Sequence, residues 1–242
     1  GLTTRQLEPH CDRIMVGFED CRAHYKHPEK VVVTGTPVRG DFFALTKEQA
    51  KEKLGVNDGR KLIVSFWGSL GSGAMNRAMA DFLALESAKE PFHHIHGVGE
   101  ICWKSMQQWL SDYGVDLSAH PALEVREYIY DMAAVMRAAD LVICRAGAST
   151  LSELTALGVP AILVPSPNVT NHHQEKNAAL LGDHGAALVL PEEGLDGKKL
   201  FAAAAGILND PQRMETMSKN MAALGIPDAT KRIYDTVMAL LK

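Results

Sequence analysis

Short continuous apolar runs alternate with stretches whose apolar positions recur at helical spacing. The runs at 61–67, 92–97, 123–128, 139–144, 160–165 and 185–190 read as strands, since a strand covered on both faces needs no polar alternation. The stretches at 47–54, 75–89, 100–113, 132–139, 150–157, 172 onward, 200–208, 211–224 and 228–241 read as helices. Punctuation agrees with this division: Gly55 and Gly158 stand where helices end, and Asp131, Asp210 and Asp228 stand where helices begin. Two further strands, 11–17 and 30–35, flank a short helix or turn at 18–25. Pro37, between Gly35 and Gly40, excludes a helix and marks a linker or domain crossing. Strands alternating with helices predict an α/β fold, a Rossmann-like doubly wound parallel sheet.

Such sheets bind ligands at the carboxyl ends of their strands. Four turns follow predicted strands and gather on that rim: 68–73, 129–131, 147–150 and 168–173. The organising stretch is 144–153, where the apolar strand 139–144 runs through a small-residue turn into a helix start. That geometry aims free backbone N–H groups and a positive helix end at one point, which suits a phosphate. Glu153 lies one turn further in, within reach of whatever the turn holds. The second Gly-rich turn, 68–73, either cradles a phosphate or allows tight packing. His173, Gln174 and Asn177 put uncharged polar groups at one helix start, as sugar hydroxyls require or as an ordinary polar surface provides. Backbone donors for phosphates and one carboxylate for a ribose diol together suit a nucleotide diphosphate. The dinucleotide fingerprint is absent, and so are a Walker lysine, a nucleophile–His–acid set and paired carboxylates for a metal.

Composition removes other classes. A net charge of −4 gives a nucleic-acid role no support. No apolar run reaches the roughly 18–20 residues of a membrane span, and no signal peptide is visible. Four scattered cysteines without a CxxC pattern are expected to be free thiols in a reducing cytosol. The start Gly1-Leu2-Thr3, without Met, reads as a chain cut from something longer. His93, His94 and His96 invite a metal reading, but on a strand only His94 and His96 share a face, and no Cys or carboxylate stands at supporting spacing. They are expected to be ordinary strand histidines. No cofactor and no metal is expected.

Three segments in order, 145–153 (RAGASTLSE), 158–165 (GVPAILVP) and 173–178 (HQEKNA), resemble the MurG family of GT-B glycosyltransferases. Thr36-Pro37-Val38-Arg39 is similar to that family's interdomain crossing, and 12–16 to the end of its N-terminal domain. The resemblance implies the C-terminal, donor-binding domain of a GT-B enzyme that transfers GlcNAc from UDP-GlcNAc to lipid I, giving lipid II in peptidoglycan synthesis. It divides the chain into 1–36, a remnant of the acceptor domain with the crossing; 37–227, the donor domain; and 228–242, a terminal helix packing back toward the N-terminal domain. It implies that Glu153 takes the ribose hydroxyls, that Ala148, Ser149 and Thr150 present the turn to the diphosphate or sugar side, and that Ile129 lies against uracil. It further implies that His173, Gln174 and Asn177 meet the GlcNAc hydroxyls, that Arg39 reaches in from the crossing, and that Ser69 contributes from the Gly-rich turn. Lipid I and the membrane surface, at the inner face of the cell membrane, would be met through the missing N-terminal domain. That domain would also hold the general base, leaving no catalytic residue here. Trp67 and Leu70 depart from the family's Gly and Gln. Another GT-B glycosyltransferase, a relative of UDP-GlcNAc 2-epimerases, and a non-catalytic nucleotide-sugar module needing a partner chain remain alternatives.

Overall fold

The computed structural model describes residues 2–169 and 172–241. Thr170 and Asn171, in the loop expected before the helix at 172, lie outside the described residues, as do Gly1 and Lys242. The chain opens with α1 (Leu2–Leu7), and β1 (Ile14–Val16) then pairs in parallel with β2 (Val31–Val33) around Ile14, Val16 and Val31. A 3₁₀ turn at Glu19–His24 lies between the two strands. Residues 34–39 carry no regular structure and lead, through a 3₁₀ turn at Gly40–Phe43, to α2 (Lys47–Leu54).

From there strands and helices alternate: β3 (Lys61–Phe66), α3 (Gly73–Ser87), β4 (Phe92–Gly97), α4 (Trp103–Asp112), β5 (Leu123–Arg126), α5 (Met132–Ala138), β6 (Leu141–Cys144), α6 (Ala148–Leu157), β7 (Ala161–Leu163), α7 (His173–Asp183) and β8 (Ala187–Val189). Helices α8 (Gly197–Leu208), α9 (Pro211–Ala223) and α10 (Ala229–Leu240) complete the chain. All six later strands are parallel, in the spatial order β5-β4-β3-β6-β7-β8. The chain builds outward from β3 to β5, returns, and builds the other way from β6. The order therefore reverses between β3 and β6, the position at which open α/β sheets leave a crevice.

Alternation along the strands feeds two cores. Leu62 and Val64 of β3 join Val142, Leu163 and residues of α5 and α6 on one face. Ile63, Ile143 and Ile162 join Met79, Phe82 and Leu83 of α3 on the other. Each fully buried aliphatic side chain contributes roughly 2 kcal/mol. Asp140, just before β6, accepts the Leu62 N–H at 2.8 Å and pairs with Lys47 at 2.8 Å and Lys51 at 2.6 Å, tying α2 to the sheet. Burial opposes its ionisation, but the two lysines and the Leu62 amide outweigh burial and hold the carboxyl below its ordinary range.

Several elements differ from the sequence expectation. Helix α8 begins at Gly197 rather than 200, because Asp196 caps it through the Lys199 N–H and Gly197 fits where a Cβ would lie 2.4 Å from the Phe82 nitrogen of α3. The 100–113 helix is a 3₁₀ turn at Glu100–Cys102 followed by α4, with Trp103 and Trp109 packed half-buried against the core. The 123–128 strand stops at Arg126. Asp131 and Asp228 precede their helices but do not cap them through the side chain: Asp131 pairs with Arg126, and Asp228 accepts from Arg232. Asp210 does cap, accepting the Arg213 N–H at 3.0 Å. His93 turns away to Asp58, while His94 and His96 share the α3 face as expected. The absence of a supporting carboxylate is corrected: α3 carries Glu86 to 2.7 Å from His94. Among the described residues no group of three His, Cys, Asp or Glu is placed to hold a metal. All four cysteines are free thiols, and Cys102 and Cys144 are buried. Among the described residues no helix is long and apolar enough to cross a membrane.

Candidate functional site

Strand β6 is apolar because both its faces are covered, and it ends where Arg145-Ala146-Gly147 turn the chain into α6. Gly147 offers no side chain to cap the helix, so the first amides of α6 have no partner within the helix. Thr150 and Glu153 follow, spaced so that both face the crevice. Across the switch point, β3 delivers Phe66, Gly68 and Ser69; β4 delivers Gly97 and Gly99; and the segment after β5 delivers Tyr128 and Ile129. These residues line one cleft of about 190 Å³ together with Met132, Thr150 and Glu153. Ser69, Ile129, Thr150 and Glu153, predicted from different parts of the chain, thus share one cavity.

The cleft floor is two glycine turns in backbone contact. A Cβ on Gly71 would lie 2.2 Å from the Val98 carbonyl oxygen, and one on Gly99 would lie 2.3 Å from the Gly71 nitrogen. Both glycines also have positive φ, +81° and +88°. Gly97 clears room for Ile129, whose Cδ1 would sit 3.0 Å from an added Cβ. The Gly97–Val98–Gly99 turn was not predicted as part of the site. Its signal was a Gly-x-Gly directly after an apolar strand, the pattern that drew attention to 68–73.

Burial raises the Glu153 carboxyl above its ordinary range; Arg39 opposes the rise and Asp41 adds to it. Arg39 is thus electrostatically coupled to Glu153, although its guanidinium is largely exposed, pairs with Asp41 at 3.5 Å and lies 5.5 Å above the Phe42 ring. Ala148 and Ser149 are exposed at the start of α6 and do not line the cleft. Gln174 and Asn177 hold the rim itself: the Gln174 amide oxygen accepts the Ser166 N–H at 2.9 Å, and Asn177 Nδ2 donates to the Ala146 carbonyl at 3.0 Å. The first bond ties the α7 start to the loop after β7, and the second ties it to the 145–147 turn. His173 is exposed beside them. Arg145 is a fastener. It donates to the Val164 carbonyl and to Ser72 Oγ, pairs with Glu192 and lies 5.7 Å above the Trp67 ring. Trp67 is buried beneath it, while Leu70 points to solvent.

Residues 62–233 match the model of the glycosyltransferase family 28 C-terminal domain. The chain belongs to glycosyltransferase family 28. Relatives in family 28 are similar over the whole chain: 37% identity over 242 residues with the UDP-N-acetylglucosamine–N-acetylmuramyl-(pentapeptide) pyrophosphoryl-undecaprenol N-acetylglucosamine transferase of Acetivibrio thermocellus, covering 100% of this chain and 64% of the relative. The enzyme of the same name from Caldanaerobacter subterraneus is 38% identical over 240 residues, covering 99% of this chain and 65% of the relative. Among solved structures, Acinetobacter baumannii MurG superposes with a TM-score of 0.76 at 26% identity, covering 99% of this chain and 64% of that one. The chain therefore spans a little under two thirds of the family 28 relatives it matches. The parallel α/β sheet is the Rossmann-like architecture of these GT-B neighbours.

Proposed function

We propose that this chain is the donor-binding part of an enzyme that transfers GlcNAc from UDP-GlcNAc to lipid I, yielding lipid II. The observation that carries this reading is the cleft at the β3–β6 switch point, where the α6 start, Glu153, Ser69 and Ile129 meet. The cleft is smaller than the roughly 300 Å³ lower bound of drug-sized pockets, so it suits the nucleoside end of the donor. Ile129 then packs against uracil and Glu153 accepts both ribose hydroxyls. The diphosphate lies over the first amides of α6 beside Ala148, Ser149 and Thr150, with Arg39 reaching in from the crossing and Ser69 from the opposite turn. The GlcNAc extends toward His173, Gln174 and Asn177. The names of the relatives support the same donor and acceptor.

Transfer needs a leaving diphosphate and a deprotonated acceptor hydroxyl. Helix α6 and Arg39 stabilise the developing charge on the diphosphate. Among the described residues the cleft is lined by two carboxylates, Glu153, which the ribose occupies, and Glu127, and the proposal gives neither of them the base role. We assign the general base, the lipid I contacts and the membrane-facing surface to the length of the relatives that this chain does not span. In the same proposal 1–36 ends the acceptor side, 37–227 holds the donor, and 228–242 packs back toward the acceptor side.

Calorimetry tests this. UDP-GlcNAc is expected to bind more tightly than UDP-glucose or UDP-GalNAc, and Glu153→Ala is expected to weaken UDP by about 30-fold or more, the loss of two hydrogen bonds to a charged group. Unchanged UDP affinity in Glu153→Ala overturns the ribose assignment, and equal affinity for the three sugars overturns that of the 173–177 segment.

A further inference from the structure

Beneath the cleft lies a line of five fully buried polar side chains: Glu86 and Asn76 from α3, Ser65 from β3, and His94 and His96 from β4. Glu86 Oε2 is 2.7 Å from His94 Nδ1; His94 Nε2 is 2.7 Å from Ser65 Oγ; Ser65 Oγ is 2.7 Å from His96 Nδ1. His96 Nε2 is 3.0 Å from Asn76 Oδ1, and Asn76 Nδ2 donates to the Val98 carbonyl at 2.9 Å.

The far end fixes the direction of every bond. Val98 offers only a carbonyl, so the Asn76 amide must give it an N–H and keep its oxygen for His96. His96 Nε2 therefore carries hydrogen. Burial keeps this ring neutral, so Nδ1 carries no hydrogen: it accepts from the Ser65 hydroxyl, and the Ser65 carbonyl oxygen, 3.2 Å from Nδ1, receives no hydrogen bond from it. Ser65 then accepts from His94 Nε2–H, and His94 and Glu86 share the next proton between Nδ1 and Oε2. One unidirectional run of donors thus leads from Glu86 to the Val98 carbonyl.

That carbonyl is the atom on which the two glycine turns close. It is the group a Cβ on Gly71 would strike, and Gly99 follows it directly. We propose that Ser65, His96 and Asn76, anchored by the Glu86–His94 pair, are positioning residues that hold the 68–73 and 97–99 turns in register and so set the shape of the nucleotide cleft. None of the five lines the cleft. The effect on ligand rests on the nucleotide reading above; the effect on the turns does not.

Ser65→Ala breaks the run at its centre with little change of volume, and Asn76→Ala breaks it at the carbonyl. Ile162→Val, in β7 on the other side of the switch point, serves as a control for general loosening. Amide exchange by NMR and calorimetry with UDP are measured on all four proteins, and long-range nitrogen–proton correlation reads the His96 tautomer. We expect the wild type to show His96 protonated on Nε2. We expect Ser65→Ala and Asn76→Ala to speed exchange at Gly71, Val98 and Gly99 about tenfold or more while β7 and β8 stay protected, and to weaken UDP roughly tenfold. Turn exchange and UDP affinity no different from those of the control overturn the proposal, as does a wild-type His96 protonated on Nδ1. If one variant does not fold, the other and the wild-type tautomer still decide. If wild-type protein binds no UDP, the functional reading fails, and the exchange measurements alone decide whether the line positions the turns.

Discussion

Glu153 and His96 show two opposite consequences of burial for a titrating side chain. Glu153 is a carboxyl pushed above its ordinary value of 4.5. From about that pH upward the native state holds its proton more firmly than the unfolded chain. Stability therefore falls as pH rises through this window, and the penalty persists above it. Glu153→Gln is expected to melt slightly higher than wild type at neutral pH, by a small margin because solvent still reaches the carboxyl, while binding UDP more weakly. In the wild type, under the proposed ribose assignment, UDP binding should strengthen as pH rises through the Glu153 pKa, since an ionised carboxylate is the stronger acceptor for two hydroxyls. Calorimetry and melting at pH 5 and 8 check both; Glu153→Gln that is less stable than wild type at pH 8 contradicts the burial penalty.

His96 is a base pushed down, to about 3, chiefly by burial and also by the neighbouring His94. Between its unfolded value of 6.5 and about 3, the unfolded chain binds one more proton than the native state. Stability is lost as pH falls through that window, by about 1.4 kcal/mol per pH unit for this one group. His96→Gln is expected to flatten the slope of unfolding free energy between pH 6 and 4 by about that amount. Urea unfolding across this range would reveal an unchanged slope if the ring titrated elsewhere. The sequence placed His94 and His96 on one face from strand periodicity alone. It did not pair them with Glu86, because that contact joins a helix to a strand through packing geometry that no spacing encodes.

At the scale of elements, the site is made by turns that follow strands. The 68–73 and 147–150 turns were legible because small residues stand between an apolar run and a helix. The 97–99 turn was not, because Gly97 is also the last residue of β4, and its glycines line the cleft only because β4 lies beside β3 in the sheet. Gly99→Ala is expected to be damaging on two counts, a positive φ of +88° and a Cβ 2.3 Å from the Gly71 nitrogen. A loss of roughly 2–4 kcal/mol of stability follows from backbone strain together with forced separation of the turns. Gly73→Ala, where an added Cβ meets nothing within 4 Å, should be nearly neutral. Comparing the two by urea denaturation checks the assignment. Helix α7 carries a related lesson: its polar start suggested sugar contacts, and the fold gives Gln174 and Asn177 backbone partners at Ser166 and Ala146 as well. Side chains on a rim often hold the rim, and periodicity cannot separate that duty from ligand contact.

At the scale of the molecule, the proposal puts the donor cleft within this chain and the base for the acceptor hydroxyl in the length of the relatives that it does not span. The chain alone is therefore expected to bind UDP-GlcNAc and to release no UDP when mixed with a lipid I analogue. Turnover by this chain alone would sink the assignment of the base to the remaining length of the relatives.

The apolar runs, the helical spacing between them and the caps determined by themselves that this is a parallel α/β protein with a ligand rim at its strand ends, since burial on both faces of a strand leaves its mark in composition. The stretch 139–153 also carried its own meaning, because a strand, a small-residue turn and a helix start are local. Strand order was decided only in three dimensions. Nothing local states that β6 returns to lie beside β3, and that return places Thr150 and Glu153 across from Ser69. The line from Glu86 to Val98 was decided in the same way: its members are ordinary buried residues one by one, and the directional run exists only because α3 crosses β3 and β4 above them.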